Sequence, residues 1–242
     1  MFYTRFIPCL AILFMVSTPL KSQDAKFAPQ SKGILLNNPS YLIDFDEDAH
    51  IAHWVHYELL AHETMGAVTR SDDFRKDDRV SSSASPSDYK GSGYDRGHIK
   101  PAADSKSSSD EMSTSFLMTN MLPQTPSLNR GKWKALEDLV RSWAVEYGGV
   151  HITSGPTPES FGELRGEVEI PAGCWKALLR TVPGDTLTIA FLLPNTKRIE
   201  GDLQDFALPV DELEQLLGVD LFPALPDAIE NRIERSINFD EW

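Results

Sequence analysis

The sequence predicts a single α+β domain, built on a mixed or antiparallel sheet core with helices added to it. Strand-like runs and helical periodicities alternate irregularly along the chain, and no internal repeat is visible. A chain of 242 residues with 41% hydrophobic residues is long enough for one large core. In order, the segment His53–Leu59 (HWVHYEL) sets Trp54, His56 and Glu58 opposite Val55, Tyr57 and Leu59, which suits a strand. Leu128–Tyr147 carries helical periodicity. Val150–Thr153 and Thr186–Leu193 (TLTIAFLL) read as buried strands bounded by Gly, Pro or Asp. Asp211–Leu217 (DELEQLL) and Asp227–Ile237 read as short helices. Two serine-rich stretches, Ser81–Ser87 and Ser105–Ser115, read as surface loops.

The N-terminus is set apart. Arg5 precedes an apolar run from Phe6 to Val16, followed by Ser17, Thr18 and Ser22, the layout of a secretory leader. The run is shorter than the ~20 residues a membrane span needs. The expectation is therefore a leader over residues 1–22, a mature domain over 23–242, secreted or periplasmic, and no stable membrane span once the leader is cleaved. With only Cys9 and Cys174 present, a disulfide-stapled scaffold and a four-cysteine zinc site are excluded. Cys174 reads as a buried structural thiol.

Charge is unevenly spread. The net charge is -13, but Thr64–Arg141 holds 12 basic and 11 acidic residues, whereas the chain after Arg141 holds 7 basic and 18 acidic. The average thus excludes a whole-surface polyanion binder while leaving room for a local cationic site.

That middle third contains the string Tyr94-Asp95-Arg96-Gly97-His98-Ile99-Lys100-Pro101-Ala102-Ala103, then Thr119-Asn120-Met121-Leu122-Pro123-Gln124, then Asn129, Trp133, Glu137 and Arg141. At ~100° per residue, Trp133, Leu136, Leu139, Val140, Trp143 and Ala144 form one stripe of the helix. Glu137 and Arg141 fall on the polar edge beside it. Asn129 suits an N-cap as well as a ligand, and Glu137 with Arg141 suits an i,i+4 surface pair as well as a cleft lining.

These strings resemble the DNA/RNA non-specific endonucleases. The resemblance rests on Asp95-Arg96-Gly97-His98, on the spacing of Asn120, Asn129, Glu137 and Arg141, and on Thr69-Arg70-Ser71-Asp72-Asp73-Phe74 upstream. His151–Pro156, Ala190–Asn195 and Leu216–Asp227 are similar to the family's later segments, so the likeness covers about Tyr41 to Glu234. It implies a ββα-metal active site and an endonuclease acting on DNA and RNA that leaves 5′-phosphate and 3′-hydroxyl ends.

The residue chemistry fits that expectation. His98, Arg96, Asn120, Glu137 and Arg141 are the catalytic candidates. His98 is the expected general base, oriented by Asp95 or a backbone carbonyl. Asn129 offers an amide oxygen to Mg2+, with Mn2+ as a substitute, and Glu137 serves in the outer shell. Asn120 helps hold the site. Arg70, Arg96 and Arg141 are the expected phosphate contacts, with Arg141 favoured for transition-state charge. A nucleic-acid-binding protein without catalysis, and a phosphodiesterase for small esters, are the other readings of the same residues. His50, His53, His56 and His62 match no standard zinc spacing, and their placement reads as the solvent side of a strand. His151 reads as a strand residue.

Overall fold

The structure is a computed structural model that describes residues 25–182, 184–237 and 239–242. The expected leader over residues 1–22 lies outside the described residues. The strands among the described residues are β1 (Ile34–Asn38), β2 (Tyr41–Asp46), β3 (Ile51–Leu60), β4 (Asp95–His98), β5 (Met121–Gln124), β6 (Gly149–Pro156), β7 (Ser160–Glu163), β8 (Glu169–Pro171), β9 (Gly173–Val182), β10 (Asp185–Pro194) and β11 (Ala207–Leu208). The α-helices are α1 (Ser109–Thr114), α2 (Lys134–Tyr147), α3 (Val210–Leu217) and α4 (Asp227–Ile233).

Seven strands form one antiparallel sheet in the order β1-β2-β3-β6-β9-β10-β11, and β4 pairs with β5 in a separate antiparallel ribbon. The period-2 alternation of side chains decides which layer each strand residue serves. Along β9, Cys174 and Leu178 join the core beneath α2, while Trp175, Ala177 and Leu179 join a second core beneath α3 and α4. In β3, Val55, Tyr57 and Leu59 face the first core and Trp54 the second. Both faces of the sheet are therefore covered, and burying each Leu- or Phe-sized side chain contributes about 1.5–3 kcal/mol.

Double coverage explains where the structure departs from expectation. His56 is buried rather than on a solvent face, its Nδ1 2.8 Å from Thr153 Oγ1. That side of the strand is sealed by the second core, where Phe27 packs edge-on against His151. The stretch Ser105–Ser115 is not a plain surface loop. It contains α1, capped where Glu111 N donates to Ser108 Oγ at 3.1 Å, and Ser105 and Ser115 are buried. Helix α4 ends at Ile233, four residues short of the expected Ile237. Cys174 is a free, buried thiol, as expected. Among the described residues no helix is long and apolar enough to cross a membrane.

Candidate active site

The β4–β5 ribbon and α2 together bring the sequence motifs to one place. In β4 the alternation splits the motif by face. His98 and Arg96 meet the aromatic rings of Phe74 and Phe116, whereas Asp95 meets the turn that leads into α2. Gly97 is required between them, because a Cβ there would run into the Gln124 side chain of β5. The helix is docked to the motif through its backbone: Trp133 Nε1 donates to the His98 carbonyl at 3.2 Å.

His98 is almost fully enclosed, at 9% exposure, and its Nε2 has no hydrogen-bond partner. Its ring stands edge-on to Phe74 (centroids 5.6 Å apart) and to Phe116 (4.9 Å). The two phenyl rings each carry a guanidinium, Arg96 at 4.0 Å over Phe74 and Arg70 at 4.7 Å over Phe116. Two backbone bonds, Arg75 N to Phe116 O (3.3 Å) and Met118 N to Arg75 O (2.9 Å), hold the upstream segment against this wall. Burial, and then the charges of Arg70 and Arg96, push the imidazole pKa down to about 3, so the ring is neutral.

Asp95, one of the two expected partners of His98, makes its bonds elsewhere. Its carboxylate accepts Asn129 Nδ2 at 3.0 Å and the Arg130 fork at 2.8 and 2.6 Å. Burial alone would raise its pKa. The bonds from Arg130 and Asn129 and the charges of Arg130 and Arg96 outweigh it, and the carboxylate stays ionised. An ionised carboxylate can only accept, so it takes the NH2 end of Asn129 and leaves the amide oxygen as the end available to a cation. Nor is Asn129 an N-cap: it lies in a π-helical turn, Leu128–Trp133, with Asn129 N donating to Thr125 O at 2.9 Å. The expected helix from Leu128 is thus a π turn followed by α2 from Lys134.

Asn120 is buried and holds the backbone. Its Oδ1 accepts Lys100 N at 2.9 Å, and its Nδ2 donates to Lys100 O and Ser115 O at 2.9 and 2.8 Å. With its amide committed in this way, Asn120 positions the loop after His98 and so holds the backbone of the site.

Arg141 also has other partners than the expected phosphate. Its Nη1 donates to Asp104 Oδ1 at 2.8 Å and its Nη2 to Asp138, and its side chain is 17% exposed. Asp104 in turn accepts the Tyr57 hydroxyl at 2.9 Å. The guanidinium is therefore a structural link between α2, the loop after β4 and the sheet. Among the described residues its ion pairs go to Asp104 and Asp138 and not to Glu137, so the i,i+4 pair is not formed. Burial would lower the Arg141 pKa, but Asp104, Asp138 and Glu137 more than offset that and keep it charged.

Glu137 lies on the polar edge of α2, part-buried, and burial raises its carboxyl pKa while Lys176 opposes the rise. Lys176 was not singled out by the sequence. It projects from β9 with Nζ 4.8 Å over the Trp133 ring and donates to Ser154 Oγ at 2.8 Å. A lone cation inside the apolar run Cys174–Leu179 was the available clue. Phe74, Phe116, Asp104 and Arg130 were missed as well, since their roles depend on contacts between distant segments.

The profile of the family described as DNA/RNA non-specific endonuclease matches residues 22–228. A protein named Nuclease from Nostoc sp. is 31% identical over 97% of this chain and 89% of its own length. Human mitochondrial endonuclease G is 30% identical over 82% of this chain and 73% of its own length. A solved structure of an EndoG/EndoGI complex superposes with a TM-score of 0.80, covering 85% of this chain and 92% of that one at 23% identity, which establishes the shared fold. By profile, sequence and fold, the chain belongs to the DNA/RNA non-specific endonuclease family and is a metal-dependent nuclease.

Proposed function

We propose that this protein is an exported, Mg2+-dependent endonuclease that hydrolyses phosphodiester bonds of DNA and RNA with little sequence preference, leaving 5′-phosphate and 3′-hydroxyl ends. The observation that carries this reading is His98: a neutral imidazole with an unpartnered Nε2, walled by two phenyl rings that each carry an arginine.

In this reading His98 accepts a proton from the attacking water. Arg70 and Arg96 grip the scissile phosphate, and through it they tune the base's strength. Burial first, and then their charges, hold the imidazole weakly basic while the cleft is empty of substrate. A phosphodiester anion arriving between them neutralises that field and makes His98 a stronger base at the moment it is needed. A backbone-gripping site of this kind reads no bases, which accounts for weak sequence preference.

The donor set suits a hard divalent cation. Asn129 presents its amide oxygen because Asp95 occupies its other end, and Glu137 on α2 serves as the outer-shell acceptor. When bound, such a cation neutralises charge on the phosphoryl and leaving oxygens. Mg2+ fits an oxygen-only set with few protein ligands, and Mn2+ can replace it. Export rests on the leader-like order of residues 1–22.

The test is nicking of circular plasmid, with single-stranded DNA and RNA beside it, with and without EDTA. Magnesium-restored nicking is expected, and His98→Ala should cut about 10²–10⁴-fold more slowly while still retarding DNA. A folded His98→Ala protein that cuts within a few-fold of the parent would overturn the assignment.

A further inference from the structure

On the opposite side of the sheet from His98, α3 and the end of α4 bring three carboxylates together. Asp211, in the first turn of α3, and Glu214, one turn later, share a helix face. Glu234 follows the last residue of α4. One ligand-type oxygen from each lies within 4.8 Å of the other two. The backbone fixes them there: Asp211 N donates to Glu234 O at 3.1 Å, and Thr188 Oγ1 on β10 donates to Ile233 O at 2.9 Å.

Acidic residues on a helix surface ordinarily face water and need no partner. Glu234 differs. It is 1% exposed, and neither of its carboxylate oxygens has a hydrogen-bond partner among the described residues. A buried carboxylate without a donor or counter-charge is strongly unfavourable. Arg235, the cation paired with Asp211, does not resolve this. Its Nε stands 3.8 Å from Asp211, its side chain is 66% exposed, and it reaches outward to bond Asn231 at 2.6 Å. Glu214 is partly satisfied, by Leu221 N at 2.7 Å.

We infer that Asp211, Glu214 and Glu234 form a structural Ca2+ site, separate from the nuclease centre, that clamps α3 to the C-terminal end of α4. The donors are all oxygen, which selects a hard cation and disfavours the zinc and copper class. Among the hard cations Ca2+ is favoured, because it bonds oxygen at about 2.3–2.6 Å in irregular geometry and takes several carboxylates, whereas Mg2+ demands near-ideal octahedral geometry and is usually held by only one or two. Water completes the shell.

The electrostatics agree. Burial first, then the like charges of Glu214, Glu230, Asp211 and Asp220, push Glu234 up to about 9. Burial likewise lifts Glu214 to about 7, with Asp220, Asp211 and Glu230 adding to it and Leu221 N opposing. Such a cluster holds either protons or a cation at neutral pH, and the clamp is the cation-bound form.

The test is thermal unfolding of the full chain in metal-stripped buffer at pH 8, titrated with Ca2+ alone. The parent's Tm should rise by several degrees and saturate, since a cation that binds only the folded state stabilises it. Asn129→Ala, which alters only the proposed catalytic ligand, should keep that rise. Glu234→Gln should lose it, or need roughly tenfold more Ca2+ or beyond, because ligand charge sets affinity. Its nuclease activity in Mg2+ should remain within a few-fold of the parent's. Asp211→Asn, on the part-buried side, gives the same readout if Glu234→Gln folds poorly. No Ca2+-dependent rise in the parent, or an undiminished rise in Asp211→Asn or Glu234→Gln, would overturn the site. So would loss of the rise in Asn129→Ala.

Discussion

His98 illustrates how one residue's chemistry is set by its walls. A solvated imidazole titrates at ~6.5. Here the ring is enclosed by Phe74 and Phe116, and burial followed by the charges of Arg70 and Arg96 brings its pKa to about 3. A lowered histidine pKa also carries a stability cost on the acid side. The unfolded ring takes a proton near pH 6.5 and the folded one does not, so stability falls as pH drops from there toward 3. An NMR titration of the substrate-free protein should therefore find the His98 ring neutral down to about pH 4. Arg96→Gln removes one of the two opposing charges and should move the midpoint upward. A midpoint near 6.5 in the parent, unmoved by Arg96→Gln, would mean that the enclosure does not control the base.

At the scale of elements, the π turn Leu128–Trp133 matters more than α2 itself, because it places Asn129 against Asp95 while Trp133 reaches back to the His98 carbonyl. Asp95→Asn tests this joint. The new amide would present donors as well as an acceptor to Asn129 and Arg130, so the fixed orientation of the Asn129 amide would be lost. Outer-shell losses of this type typically cost ~10–100-fold in metal affinity. The Mg2+ concentration for half-maximal cleavage should rise by about that factor, with DNA retention unchanged. An unaltered Mg2+ requirement would show that Asp95 does not hold the ligand. The same joint marks how far sequence reasoning reaches. The core stripe of α2, with Leu136, Val140, Trp143 and Ala144 all buried, was legible because helical periodicity is a local property. The strands β3, β6 and β10 were legible for the same reason, apart from their ends. Asp95 as partner of Asn129, Arg141 as partner of Asp104, and His56 beneath a second layer were not. Each depends on which distant segment covers a residue, and one residue's spacing carries no record of that. The partners of Asn120 and Arg141 were not legible either, because an amide or guanidinium that holds the backbone and one that grips a phosphate look alike in sequence.

At the scale of the molecule, an acidic protein has to bind a polyanion. The seven-stranded sheet separates the two problems. The ribbon β4–β5 with α2, Arg70 and Arg96 sits on one face, and α3 with α4, bearing Asp211, Glu212, Glu214, Asp227, Glu230 and Glu234, sits on the other. Like-charge repulsion then turns the acidic face away from nucleic acid and leaves the cleft side to meet it. Affinity in such an arrangement comes from a few local contacts, not from net charge, and the salt dependence counts them. Each neutralised phosphate on duplex DNA adds about 0.9 to the slope of log K against log salt. Arg70 is half exposed, paired among the described residues with the still more exposed Asp72, and braced on Phe116, so it can turn to a phosphate at little cost. With binding measured in the inactive His98→Ala background, so that cutting does not intrude, Arg70→Ala should shallow the slope by about one unit and weaken all sequences alike. Neutralising Glu212, on the far face, should leave the slope unchanged. If instead Arg70→Ala leaves the slope intact and Glu212→Gln steepens it, the duplex is being held by the α3–α4 face, and the cleft described here is not where nucleic acid binds.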